Sequence, residues 1–498
     1  MKRFISFFAG LPIAAMLLTA CNAINISDEV EGAILERQNY VSDPGVKVSL
    51  AEAYDMAGNF FNSDAGNGLL PTKSADSNTK TISKSATIKE DGQDLMYVFN
   101  YEGGGFVIVG STRNYYPILA YSDEGSFELS DDMGPVDVWL DETKVCIKNS
   151  GTLDDNTKSQ MRNLWARYDG TYVDPTQEVL AARRPQTRST GEDYCWDRIE
   201  ALHALYGSEG WTFTTLSYAE QVFEDAGLSS YYDDICYSAA QNHSALNETV
   251  IGYKNPIHNI VEPRINTEWY QRGPFGKLCP YKVAGCGAVA AGQVMFYHKY
   301  PATMNWAGES FTWSSTDIPQ NPVSASKQPQ LMRMLGQKFQ MNYKPDSTSS
   351  TNVTKVVNGL DSLGYVVSQD TLNTWRVKNE LLVSGRPVIM FGTISTNPHD
   401  DGHFWVCEGT HEIIYDAIQF YTENQPYGAG NFTQGMYSLN SPGIVGGSNF
   451  FHYFYMNWGW FYTTSNPNGW FVQNNYNSGQ GNFQYLKKTI YVSKPQQI

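Results

Sequence analysis

The stretch "VAGCGAVAAGQVMFYHKYP", residues 283–301, constrains the fold of this chain more than any other. Gly287, Ala288, Ala290, Ala291 and Gly292 are small enough to let a helix approach a sheet closely, so a buried helix is predicted over Gly287 to Tyr300. Cys286 stands between Gly285 and Gly287 at the head of that helix. There the sulfur lies near the positive end of the helix dipole, with no bulky neighbour to block approach. A thiol of ordinary pKa, about 8.5, is only a few per cent ionised at neutral pH, so a nucleophile needs a histidine, a helix N-terminus, or both. Free cysteine is also among the most buried residue types. From this stretch alone a reactive and a structural Cys286 are equally supported, with a disulfide half and a metal ligand as further candidates.

The rest of the chain narrows the choice. Its 498 residues are too many for one ordinary core, so two or three domains are expected. A net charge of −16 argues against nucleic acid or anionic lipid as the main partner. The 14% aromatic content suits β-structure and extended binding surfaces. Seven cysteines in this length are too few for a disulfide scaffold.

One cysteine has a separate role. Lys2-Arg3, an apolar run from Phe4 to Leu18 and then Leu18-Thr19-Ala20-Cys21 read as a signal peptide, too short to span a membrane. Cysteine directly after Leu-Thr-Ala resembles the bacterial lipobox, which makes Cys21 a lipidated N-terminus and the lipid a link to the membrane. An ordinary signal peptide with an incidental cysteine is the alternative. The expected location is the cell envelope of a bacterium, as an exported lipoprotein.

Composition shifts divide the chain into a signal peptide (1–20), a polar tether (21–46), a small α+β unit (47–180), a linker or activation region with some helix (181–255) and a large unit (256–498). In the small unit, Ser49 to Phe61 reads as helix and Thr72 to Ser85 as loop. The run "DLMYVFNYEGGGFVIVGS" reads as a hairpin turning at Gly103-Gly104-Gly105. "PVDVWLDETKVCIKNS" and "DDNTKSQMRNLWARY" read as helices. "AARRPQTRSTGED", residues 181–193, is basic and aperiodic, a segment exposed to proteases. In the large unit helices come first and aromatic strands follow, an α+β order.

Cys286 needs a base. His403, in "DGHFWVCEG", follows Gly402 and opens an apolar strand, which holds an imidazole rigidly. Asn457, in "YMNWGW", is an amide inside an aromatic run and must find a partner or cost several kcal/mol. Cysteine, then histidine, then asparagine is the papain-type order. His298, His399, His411 and His452 lack the Gly-His-apolar setting. Cys279 and Cys286 lack both a CxxC spacing and a paired histidine, so no metal is expected.

"AGCGAVAAGQVMFYHKYP", "GRPVIMFG", "DGHFWVCEG" and "YMNWGW" resemble the streptopain family of papain-like cysteine peptidases. "EWYQRGPFGKLCP" is similar to the segment bearing that family's oxyanion-hole glutamine, and "GGGFVIVGSTRNYYPILAYSDEGSFEL" resembles its inhibitory propeptide. The resemblance implies a papain-like catalytic domain, helical part plus antiparallel sheet, behind a small α+β propeptide that acts as an intramolecular inhibitor. It implies Cys286 as nucleophile, His403 as general base and acid, Gln271 as oxyanion donor, and Asn457 or Trp458 orienting and shielding His403. Gly285 and Gly402 then flank the substrate. Substrates are proteins or peptides, with an apolar side chain two residues before the cut, and no cofactor is required.

Two other functions use the same residues: acyl transfer of the transglutaminase kind, and an inert surface-binding lipoprotein. The interval from His403 to Asn457 is long, and residues 412–449, rich in Gly, Asn and Tyr, read as an inserted loop near the site. Cys279 reads as a bystander, or as a partner that locks Cys286 in a disulfide.

Overall fold

The computed structural model describes residues 25–27, 46–61, 80–169, 171, 199–204, 211–215, 220, 232–233, 236–237, 250–254, 257–265, 267–321, 326–346, 348–393, 402–414, 417–423, 432–438, 450–460, 465–473 and 487–495. Cys21, His399, Asp400 and Asp401 lie outside the described residues, as does most of the 181–255 region.

The N-terminal unit begins with β1 (Asn25–Ser27) and the helix Leu50–Phe60. Ser49 caps this helix, its hydroxyl accepting from the Glu52 N–H. Then come β2 (Ile82–Glu90), β3 (Gln93–Tyr101), β4 (Phe106–Gly110) and β5 (Ile118–Ser122), an antiparallel run. Gly103, Gly104 and Gly105 turn the β3–β4 hairpin at φ of 77°, 102° and 102°, the conformation that favours glycine. The helices Pro135–Asn149 and Asp155–Asp169 close the unit. Two expectations shift here. Asn25–Ser27, inside the predicted tether, pairs with β2, and β2 begins inside the predicted 72–85 loop.

Next are β6 (Thr212–Thr215), β7 (Val250–Lys254) and β8 (Ile257–Val261). The helix Cys286–His298 follows, then β9 (Thr303–Trp306) paired with β10 (Glu309–Thr312). The helix Gln328–Lys338, the small pair β11 (Asn342–Tyr343) and β12 (Ser349–Ser350), and the helix Val353–Asp361 come next. β13 (Val366–Thr371), the helix Thr374–Leu382, β14 (Val388–Thr393) and β15 (Gly402–Ile414) lead to β16 (Ala417–Glu423) and β17 (Phe432–Ser438). β18 (Phe450–Asn457), β19 (Gly469–Val472) and β20 (Lys487–Ser493) end the chain.

One antiparallel sheet runs through both units in the order β1-β2-β3-β4-β5-β19-β18-β15-β14-β20-β13, with β8 also paired to β15. The seam between the units is β5 against β19, Trp470 opposite Tyr121 and Phe471 opposite Ala120. Within the segment expected as an inserted loop, β16 and β17 pair with each other and join β7 and β6 in a separate four-stranded sheet, order β17-β16-β7-β6. Its pairing partner β7 lies far upstream, so local composition could not show it. Ile199, Leu202, Trp211, Phe213 and Val250 form a small core beside these strands.

Two large cores flank the β14–β15 pair. One gathers Cys286, Val289, Leu335, Val356, Phe404 and Val406 with the helices of the large unit. The other is built jointly: Val136, Trp139 and Ile108 of the N-terminal unit pack with Trp405, Tyr453, Trp458 and Phe471.

Candidate active site

The Cys286 helix is buried because its residues are small. A Cβ on Gly287 would lie 3.0 Å from Thr351 and 3.5 Å from Phe404, and one on Gly292 would lie 2.7 Å from Met332. Gly285, the residue before the helix, has φ 91°, and a Cβ there would stand 2.8 Å from both the Met341 methyl and the Ser349 hydroxyl. Only glycine fits, and the turn it makes starts the helix at Cys286. The sulfur-bearing residue is itself buried. Cys279 and Cys286 remain thiols rather than a disulfide, and burial pushes the Cys279 thiol above its ordinary range.

Gln271 is tied to this turn through its backbone. Its carbonyl accepts the N–H of Ala284 at 2.8 Å, two residues before Cys286, and its side chain is buried. The structure therefore brings the predicted oxyanion donor and the predicted nucleophile to one locus.

His403 is placed by strand alternation. Phe404 and Val406 belong to the core that holds Cys286, whereas Trp405 and Cys407 belong to the joint core. His403 pairs with Gly392, where an added Cβ would lie 2.8 Å from Val138 and 2.9 Å from Trp405. So His403 takes the face that the Pro135–Asn149 helix covers. Gly402, one residue earlier, faces the other way: a Cβ there would strike the Phe391 ring at 2.3 Å. Its need for glycine is steric.

The histidine ring stands edge-on to Trp460, centroids 6.2 Å apart at 82°. Gly134, at the head of the Pro135–Asn149 helix, lies on that indole, since a Cβ there would come within 2.4 Å of it. Trp458, the tryptophan expected to shield His403, goes instead into the joint core against Trp405 at 5.4 Å and Phe471 at 4.9 Å. Gly459 at φ 60° reverses the strand between the two indoles. Sequence reasoning passed over Trp460, although the Trp-Gly-Trp spacing marks it.

Asn457 is occupied elsewhere. Its amide donates to the Thr267 carbonyl at 2.9 Å and to Glu408 Oε1 at 3.1 Å, and its oxygen accepts the Gly459 N–H at 3.3 Å. His298, on the Cys286 helix, contacts the Val492 carbonyl through Nε2 at 3.1 Å, and burial lowers its pKa to about 4. His411 and His258 contact each other at 2.9 Å, with His411 against Tyr453 and Trp470 of the joint core. Among the described residues no cluster of three or more His, Cys, Asp or Glu side chains is arranged for a metal ion. No described helix is long and apolar enough to cross a membrane.

A thiol at a helix head, a glutamine tied by its backbone to the same turn and an imidazole on β15 are the residue types of a cysteine hydrolase, here with a second unit seated on the imidazole face. Comparison with known proteins gives this its class. Residues 269–471 match the Peptidase C10 family, and residues 45–147 match the Spi protease inhibitor family. The large unit thus carries a Peptidase C10 domain and the N-terminal unit a Spi-type inhibitor domain, which makes the chain a cysteine peptidase in zymogen form. Among solved structures, a fragment of prointerpain A from Prevotella intermedia is similar at 15% identity, with 84% of this chain and 100% of that one covered and a TM-score of 0.42. No curated protein sequence matches.

Proposed function

We propose that the chain is an endopeptidase zymogen whose N-terminal unit inhibits by covering the face of β15 that bears His403. The carrying observation is the seat of Gly134 on Trp460 and of Val138 over Gly392, directly opposite His403. Trp139 extends it, donating to the Val472 carbonyl at 3.2 Å and meeting the Phe471 ring edge-on at 4.9 Å.

In the processed enzyme His403 takes the Cys286 proton as the sulfur attacks the peptide carbonyl. The C–N bond breaks as the imidazolium returns that proton to the leaving amine, leaving a Cys286 thioester. Water, deprotonated by His403, then releases the acid and restores the thiol. Gln271 and the Cys286 backbone N–H receive the oxyanion, and loss of such a donor typically costs about 3 kcal/mol of transition-state stabilisation.

Lipidation at Cys21 would hold the zymogen at the cell envelope, and cleavage between the units would leave the lipid with the N-terminal part. Cys21→Ala should move the zymogen from the membrane to the soluble fraction; an unchanged distribution refutes the anchor. For the chemistry, wild type and Cys286→Ala are treated with a thiol-directed epoxide and assayed on a protein substrate. Cys286→Ala is expected to lose labelling and to lose activity by on the order of 10⁴-fold or more. Labelling or hydrolysis that persists would reject Cys286 as nucleophile.

A further inference from the structure

Glu408 is a fully buried carboxylate on the strand of His403, and nothing in the reaction above uses it. It sits in a bulge: β15 pairs Cys407 with Met456 and Gly409 with Tyr455, so Glu408 is the extra residue. Oε2 accepts the N–H of Ile265 at 2.5 Å, and Oε1 accepts the Asn457 amide at 3.1 Å. The same amide donates to the Thr267 carbonyl, and the Thr267 hydroxyl donates to Gln293 Oε1 at 2.5 Å. Gln293 is fully buried on the Cys286 helix, about two turns beyond the thiol. Its Nε2 has no hydrogen-bond partner among the described residues and lies 3.7 Å from where a Cβ on Gly459 would be.

Four segments therefore meet at one buried polar knot. They are the strand of His403, the helix of Cys286, the 265–271 segment that leads to Gln271, and the Asn457–Trp460 corner beside the imidazole. We infer that Glu408 is a positioning residue of the peptidase, fixing the nucleophile helix, the oxyanion segment and the tryptophan corner relative to the histidine strand through Asn457, Thr267 and Gln293. The chemistry suits the task. A carboxylate is an acceptor at both oxygens, and the Ile265 N–H and the Asn457 amide that it meets are both donors. Buried, such bonds hold their geometry because a group left without its partner bears its full desolvation cost. A shift of about 1 Å between catalytic groups costs on the order of 10²-fold in rate, so a brace of this kind acts on kcat.

The inference rests on Cys286 and His403 being the reacting pair. Glu408→Gln keeps the shape but presents an NH2 to one of two donors, so one of the two bonds must break. In the processed enzyme, made from the full chain, kcat is expected to fall about 10- to 100-fold with KM within about twofold and stoichiometric epoxide labelling retained at Cys286. Thr267→Val, which removes the link to Gln293, should lower kcat about 10-fold, and Thr267→Ser should restore it. A core variant away from the knot, Val356→Ala, should lower melting temperature without that split. If Glu408→Gln folds and keeps wild-type kcat, or if Thr267→Val equals Thr267→Ser, the inference fails; if Glu408→Gln does not fold, the Thr267 pair decides alone. Failure of wild type to label at Cys286 would instead overturn the peptidase reading on which it stands.

Discussion

The two faces of the β14–β15 pair differ in who covers them. On one side Phe404 and Val406 pack with Cys286, Val356 and Leu335, all from the large unit. On the other, Trp405, Tyr453 and Phe471 share a core with Val136, Trp139 and Ile108 of the N-terminal unit. The first face persists when the N-terminal unit is removed; the second loses the packing that Val136, Trp139 and Ile108 supply. Since His403 lies on the second face, inhibition and the stability of the joint core are one property. Variants on the two faces should therefore separate zymogen from processed enzyme.

The largest separation is expected from Trp139→Ala. Trp139 is buried and bonded to Val472, and truncating a buried tryptophan costs about 3–5 kcal/mol. Urea unfolding of a zymogen held inactive by Cys286→Ala should register that loss. The activity of the enzyme processed from the Trp139→Ala chain should equal wild type. Val356→Ala, on the other face, should destabilise zymogen and enzyme alike. Equal effects of the two variants on both forms would dissolve the distinction between the faces.

Glu142 sharpens it electrostatically. This carboxylate, on the Pro135–Asn149 helix, is fully buried and pairs with Lys487 on β20 across the unit boundary. Glu142→Ala leaves the mostly buried Lys487 ammonium without its carboxylate in the zymogen, at a cost of about 3 kcal/mol. Once the N-terminal unit has gone, Lys487 is open to water and the variant has no target. Earlier self-processing on a gel, with unchanged activity afterwards, is the expected result. Unchanged processing would mean the pair does not hold the units together.

Gly134→Ala is smaller and more local. At φ 58° with Trp460 directly over the Cβ position, alanine must strain its own backbone or displace the indole, at about 1–3 kcal/mol. The histidine side of the site is untouched, so the variant should process faster, with zymogen stability lowered by no more than that strain. Inhibition as tight as wild type would exclude Gly134 as the contact that holds Trp460.

Much of this arrangement was legible in the sequence where the signal is local. The small-residue helix behind Cys286, the triple-glycine hairpin, the two helices after Pro135 and the strand opening at His403 all follow from neighbouring residues. What was missed depends on residues far apart in the chain. The face taken by His403 is set by alternation through β15, and what covers that face comes from residues 135–149. The choice of Trp460 over Trp458 turns on the positive φ of Gly459. Glu408 carries no local signal of its burial, because only a bulge buries it. β16 and β17 read as loop because the glycines and asparagines around them in 412–449 favour turns and their partner β7 is remote.

The smallest effect at neutral pH, and the most selective for conditions, lies at the seam itself. Tyr121 on β5 meets His411 Nδ1 at 2.5 Å, and His411 Nε2 meets His258 Nδ1 at 2.9 Å. His452 Nε2 contacts the Thr410 hydroxyl at 2.7 Å nearby, and Glu412, bonded to Asn259 and Lys378, lies beside them. Burial first, then the neighbouring His258 and His452, hold His411 well below the ordinary imidazole value; burial lowers His452 to about 4. Tyr121→Phe removes one hydrogen bond and should cost the zymogen about 1 kcal/mol at pH 7. Acid enlarges the effect at the pair. Below about pH 6.5 the unfolded chain binds protons that the buried imidazoles refuse, so stability is full above that value and falls as pH drops toward 4, by up to about 1.4 kcal/mol per unit for each histidine. The Cys286→Ala zymogen should thus lose melting temperature between pH 6.5 and 4, and His411→Gln should flatten the curve. His298, buried in the other core, supplies the contrast: His298→Gln should flatten the acid dependence of zymogen and processed enzyme equally, His411→Gln chiefly that of the zymogen. A His411→Gln zymogen with the wild-type acid slope would place the pH sensitivity away from the seam between the units.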